Sequence, residues 1–139
     1  MTSERSDIAS VDGAPRSAGT SALVLFAHGS RDPQWAAPFR EVQRKVSEEN
    51  PALAVDLAFL EIMEPTLPAS LERLAASGKT RVTIAPLFMA RGAHLTRDLG
   101  RMLSEARQSH PNLEIVLLPA AGEAEPVLDA IAGWITRNV

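Results

Sequence analysis

The feature that most constrains this chain is a strict alternation of short apolar runs with longer stretches of helical period. Runs rich in Val, Ile, Leu and Phe occupy residues 22–27 (ALVLFA), 54–60 (AVDLAFL), 81–86 (RVTIAP) and 113–118 (LEIVLL). Each is followed by a segment whose apolar residues recur every three or four positions. Strand then helix, repeated along the chain, predicts a parallel sheet packed between helices. The first and third runs are nearly continuous in apolar residues, as expected of strands covered on both faces. The second and fourth carry Asp56 and Glu114 and belong nearer an edge.

Helix limits follow from cap and breaker residues. Asp32 can cap a first helix with Pro33 in its first turn, where a missing N–H costs nothing, and the pattern continues through Phe39, Val42 and Val46 to Asn50-Pro51. A second helix spans 67–77, with Leu67, Leu71 and Leu74 on one face and a stop at Gly78. The third is expected to begin near Asp98, turn Leu99, Met102, Leu103 and Ala106 inward, and end before His110-Pro111. The last spans about 123–138 and is expected to bury Val127, Leu128, Ile131 and Trp134 or Ile135. Right-handed crossovers leave few ways to wind such units. The expected result is a single three-layer α/β domain with a mainly parallel four-stranded sheet in the order 2-1-3-4, a flavodoxin-like winding one unit short.

At 139 residues, one domain accounts for the chain. Residues 1–20 are rich in Ser, Thr, Ala and Gly, lack aromatics and lack the apolar core of a signal peptide, and so read as a disordered tail before a domain at 21–139. No apolar run approaches the ~20 residues of a spanning helix, so a soluble, cytoplasmic protein without a membrane partner is expected. The absence of cysteine excludes disulfides, thiolate metal sites, cysteine nucleophiles and cysteine-ligated iron–sulfur clusters. A net charge of −3 and 4% aromatic residues speak against a nucleic-acid partner.

In open α/β sheets a ligand sits beyond the carboxyl ends of the strands, where the winding reverses; here that point lies between the first and third strands. The first strand runs into Ala27-His28-Gly29-Ser30-Arg31-Asp32, and the third into Leu87-Phe88-Met89-Ala90-Arg91-Gly92-Ala93-His94. The second ends in Phe59-Leu60-Glu61. Two neutral imidazoles and a carboxylate suit divalent Co, Ni, Fe or Zn, and the same groups accept protons near neutral pH. Each residue also has a plainer reading: His28 hydrogen-bonded to backbone, Gly29 and Ser30 as a tight turn, Asp32 as a helix cap, Glu61 and His94 as solvated surface. His110, at a helix end before Pro111, is set aside as a surface histidine facing the helix dipole.

Taken together, His-Gly-Ser-Arg after the first strand, Phe-Leu-Glu after the second and Ala-Pro-Leu-Phe-Met-x-x-Gly-x-His-x-x-x-Asp after the third resemble the short CbiX-type sirohydrochlorin chelatases. The resemblance extends from Ala22 through essentially the whole chain. It implies a chelatase-like fold and the insertion of a divalent metal, cobalt first and nickel or iron as alternatives, into a tetrapyrrole with release of two protons. The metal is then a substrate, with no permanently bound cofactor. Carried over position by position, the metal-handling histidines fall on His28 and His94 and the active-site carboxylate on Glu61. Leu60, Met63, Leu87, Phe88 and Met89 could wall the macrocycle, and Ser30, Arg31, Arg91 and Arg97 lie where its carboxylates could be met. Related class II chelatases have two similar domains, so a chain with one implies a homodimer. One departure stands out: after Asp98 the family usually continues Ile-Pro, whereas this chain has Leu99-Gly100, which predicts a looser helix start.

Two other functions fit parts of the pattern. A histidine phosphatase also places His-Gly after its first strand, but with Arg before that His; here the position is Ala27, and no glycine-rich phosphate loop is present. A non-catalytic metal or tetrapyrrole carrier would share the fold, although Glu61 beside histidines favours turnover over storage.

Overall fold

The computed structural model describes residues 20–139, so the expected tail lies outside the described residues apart from Thr20, whose carbonyl accepts from the Thr80 N–H at 2.8 Å. The strands are β1 (Ser21–Ala27), β2 (Ala54–Phe59), β3 (Arg81–Pro86) and β4 (Glu114–Leu117); the helices are α1 (Ala37–Glu49), α2 (Leu67–Ala76), α3 (Gly92–Ser109) and α4 (Glu125–Thr136). All strand pairs are parallel, in the order β2-β1-β3-β4. The α/β winding expected from the sequence is the one found. Ala27 of β1 stands level with Phe59 of β2, and Phe26 with Pro86 of β3, so these three strands leave the sheet along one edge.

The sheet has two unlike faces. On one, Val24, Phe26, Ala58, Val82, Ile84 and Ile115 pack against Leu67, Leu71 and Leu74 of α2 and Leu99 and Leu103 of α3, all buried. Asp56 on edge strand β2 is met there by α2, accepting from Ser70 Oγ at 2.8 Å and from Arg73, which satisfies the buried hydroxyl. On the other face, Leu25, Ala27, Leu57 and Phe59 lie under Ala36, Trp35 and Phe39. Neither α1 nor α4, however, buries a residue fully.

Local signals explain most of the limits. Asp32 accepts from the Gln34 N–H at 3.0 Å and caps a 3-10 turn (Pro33–Ala36) that feeds α1, while Thr66 caps α2 through the Ala69 N–H at 3.2 Å. Two expectations need correction. The third helix begins at Gly92, well before Asp98: its cap residue, Arg91, makes no side-chain capping bond, and the turn is made by the positive φ of Gly92, so no polar start signal exists to read. Gly100 therefore sits within α3 and not at a loosened start. The second correction concerns α4, where the expected burial fails: Leu128, Trp134 and Ile135 are exposed, with Trp134 at 63%. Only Val127 and Ile131 of its inward stripe reach intermediate burial. The helical period is real, but among the described residues no element covers the outer side of the helix.

Candidate functional site

Gly29 organises the edge where β1 and β2 end. Its φ is +102°, and a Cβ built there would lie 1.9 Å from the Glu61 carbonyl oxygen, so only glycine lets the two chains approach. The approach is fixed by main-chain bonds, Leu60 N–H to the Ala27 carbonyl at 2.9 Å and Glu61 N–H to the His28 carbonyl at 3.1 Å. The side chains follow, and His28 Nε2 reaches Glu61 Oε2 at 3.1 Å. The imidazole stands edge-on to Phe88, ring centres 6.3 Å apart, and Phe88 is braced edge-on by Phe26 at 5.5 Å. A carboxylate only accepts, so His28 donates from Nε2, and in the neutral ring the Nδ1 lone pair stays open. Both side chains are more than half exposed, which leaves the pair worth ~0–1 kcal/mol to stability.

Immediately beyond Glu61, Ile62 has φ +72° and is 58% exposed, while Met63 N–H closes a tight turn onto the Glu61 carbonyl at 2.7 Å. A β-branched residue in the left-handed region costs ~1–2 kcal/mol, and such costs concentrate at functional sites. No burial of the Ile62 side chain offsets it.

The other residues singled out from the sequence take varied places. Ser30 Oγ accepts from the Asp32 N–H at 3.1 Å and shapes the turn, and Arg31 is exposed. Leu60 is half-buried against the α2/α3 core; Met63 and Leu87 are half-buried on the opposite face. Phe88 is nearly buried and acts as a brace, whereas Met89 beside it is 60% exposed. Arg91 is largely enclosed and points its guanidinium at Glu123, 3.4 Å away, a carboxylate that also accepts from the Ala120 N–H at 3.0 Å. His94 and Arg97 lie on α3, a consequence of its early start, with Arg97 Nη2 3.2 Å from His94 Nδ1. The structure thus joins His28 to Glu61, and it joins His94 to Arg97. Among the described residues, no three His, Asp or Glu side chains are gathered to hold a metal ion.

Between α1 and the start of α4 lies an apolar depression of about 490 Å³, within the range of ligand pockets. Pro38, Phe39, Val42, Leu87, Met89 and Val127 line it, and Phe88 forms the partition between it and His28. Sequence reasoning found Leu87, Phe88 and Met89 but missed Pro38, Phe39, Val42 and Val127 as lining. Their helical spacing reads equally well as core, and only the loose fit of α1 and α4 turns them into a wall.

Comparison with known proteins follows the same lines. The CbiX family model matches residues 22–137. A sirohydrochlorin cobaltochelatase from Methanocaldococcus jannaschii is 36% identical over 89 residues, covering 64% of this chain and 62% of that protein. A CbiX protein of cobalamin (vitamin B12) biosynthesis from Marinobacter aquaeolei VT8 superposes with a TM-score of 0.73 at 26% identity, over 85% of this chain and 93% of that one. The sirohydrochlorin chelatase SirB from Bacillus subtilis subspecies spizizenii, solved with cobalt, superposes with a TM-score of 0.71 at 23% identity; it shares the fold, and 85% of this chain matches 50% of that one.

Proposed function

The chain belongs to the CbiX family, and on that premise we propose that it inserts a divalent metal into sirohydrochlorin. Cobalt is the first choice, since the M. jannaschii relative is a cobaltochelatase, with nickel and iron as alternatives because imidazole and carboxylate accept all three. The observation that carries the reading is the His28–Glu61 pair held by main-chain bonds at the carboxyl edge, beside an apolar depression and behind a common aromatic brace.

The reaction exchanges two pyrrole N–H bonds for bonds to the metal, so two protons must leave for each ion inserted. The His28 Nδ1 lone pair receives the incoming metal, and one or two imidazole ligands hold it weakly enough to be given up, unlike a closed four-ligand structural site. The Glu61 carboxylate, 3.1 Å from His28 Nε2, orients the ring and collects pyrrole protons. His94 approaches from α3 as the second imidazole. Met89, Phe39, Val42 and Val127 supply an apolar wall for the macrocycle, and Arg31 and Arg97 meet its peripheral carboxylates. Arg91, engaged by Glu123, shapes the loop. The metal acts as substrate, and no resident cofactor takes part.

This chain pairs with half of the SirB chain, and the exposed apolar side of α4 matches what a second copy would cover, so the working form is taken to be a homodimer. Among the described residues no helix is long and apolar enough to cross a membrane, in keeping with a cytoplasmic site of action.

Anaerobic mixing of the protein with sirohydrochlorin and Co²⁺, Ni²⁺ or Fe²⁺, followed by absorbance, tests the reading. Insertion faster than the uncatalysed rate is expected with at least one metal, and equality for all three overturns the proposal. His28→Ala and Glu61→Gln should each lower kcat/KM roughly 100-fold or more, the scale of a lost acid–base or ligand group. His110→Ala, on the far end of α3, should leave it unchanged.

A further inference from the structure

His94 and Arg97 stand one turn apart near the start of α3, with Arg97 Nη2 3.2 Å from His94 Nδ1. A guanidinium has donors and no acceptor, so this bond runs in one direction: Arg97 donates, and the Nδ1 lone pair of His94 accepts. In the neutral ring the remaining hydrogen is then on Nε2. An imidazole in that state presents a donor and has no lone pair left for a metal. His28 has the opposite arrangement, giving Nε2–H to Glu61 and keeping Nδ1 open. Of the two histidines that follow β1 and β3 in the chain, one has a lone pair free to ligate and the other is blocked.

We propose that Arg97 is a positioning residue that withholds His94 from the metal until a carboxylate draws the guanidinium away. The proposal rests on the chelatase reading for the source of that carboxylate, a tetrapyrrole bordered by them. Arg97 is well placed to leave. It is exposed, and among the described residues it forms no ion pair with Asp or Glu. Arg91 is held by Glu123, and Arg101 lies between Asp98 and Glu105. A bidentate bond to a carboxylate outweighs a single bond to a neutral ring nitrogen, so an arriving anion wins the competition. The metal-binding strength of the site is thereby tied to the presence of the ring: weak with His28 and Glu61 alone, stronger once His94 is released. An ion is not trapped before there is somewhere to put it.

Calorimetric titration of the full chain with Co²⁺, without tetrapyrrole, reads the device directly. Arg97→Ala should tighten Co²⁺ binding about tenfold, and Arg97→Lys, which keeps the charge but loses the planar fork, should fall between. In a His94→Ala background the gain from Arg97→Ala should disappear. Unchanged or weaker binding in Arg97→Ala overturns the proposal, as does an equal gain with His94 absent, which would reduce the effect to one less positive charge. In turnover, Arg97→Ala should lower KM for Co²⁺ and raise KM for sirohydrochlorin with little change in kcat; a fall in kcat with both KM values unchanged also overturns it. Loss of the chelatase reading would show as wild-type protein without insertion activity, which the titration arm does not depend on.

Discussion

At the scale of single residues, the site depends on a backbone position more than on any side-chain bond. Gly29 brings the β1 and β2 exits together, and the His28–Glu61 contact is a consequence of that approach. Gly78 provides the comparison, because its φ is also positive, at +92°, yet a Cβ there meets nothing within 4 Å. Gly78→Ala should therefore cost only the backbone term, ~1 kcal/mol. Gly29→Ala should cost ~2–4 kcal/mol by denaturant unfolding and abolish insertion, because the Glu61 carbonyl must move as well. Equal losses at the two positions would show that the close approach is not what matters. From the sequence, His28 and Glu61 could be set at neighbouring strand ends because these are visible as the close of apolar runs, whereas His94, expected on a loop, lies on α3. What Gly29 does could not be inferred, since a turn glycine and a close-approach glycine look alike until the partner strand is in place. Nor could the pairings be read, because the reach of Arg97 to His94 depends on both being helical.

At the scale of elements, strands and helices were legible wherever polar punctuation marks their limits. Asp32-Pro33 announced the turn that feeds α1, Gly78 announced the end of α2, and the nearly continuous apolar runs announced β1 and β3 as central. The start of α3 was hidden because Arg91-Gly92 carries no capping side chain. Its early start places Gly100 in the middle of an 18-residue helix, exposed and with open space around a notional Cβ. Gly100→Ala should consequently stabilise the protein by ~0.5–1 kcal/mol, read as a rise in Tm, with the fold unchanged. A fall in Tm would place Gly100 in a contact that the helix geometry does not contain. The burial of α4 was misjudged for a different reason: amphipathic period states which side of a helix is apolar, and says nothing about whether the same chain covers it.

At the scale of the whole molecule, the sheet is sealed on the α2/α3 side and loosely covered on the α1/α4 side, where Val42, Leu128, Trp134 and Ile135 remain exposed. If a second copy completes that side, sedimentation at micromolar concentration should give a dimer, and Trp134→Glu should return it to monomer with its far-UV spectrum intact. A wild-type monomer at all concentrations would remove the dimer from the proposed function. The carboxyl edge has a division of its own. Gly122 repeats on the far side what Gly29 does on the near side: a Cβ there would fall 1.7 Å from the Met89 carbonyl oxygen, its N–H bonds the Phe88 carbonyl at 2.9 Å, and Arg91 joins Glu123 across the same gap. The loops after β1 and β2 are thus stapled into one lip, and those after β3 and β4 into another. His28 and Glu61 ride on the first lip, and the chain leading into His94 starts from the second. The edge is therefore built as two separately stapled lips that share one hinge line, where Leu87 N–H meets the Phe26 carbonyl at 2.8 Å and Phe88 stands against His28, so a change in either glycine disturbs its own lip first.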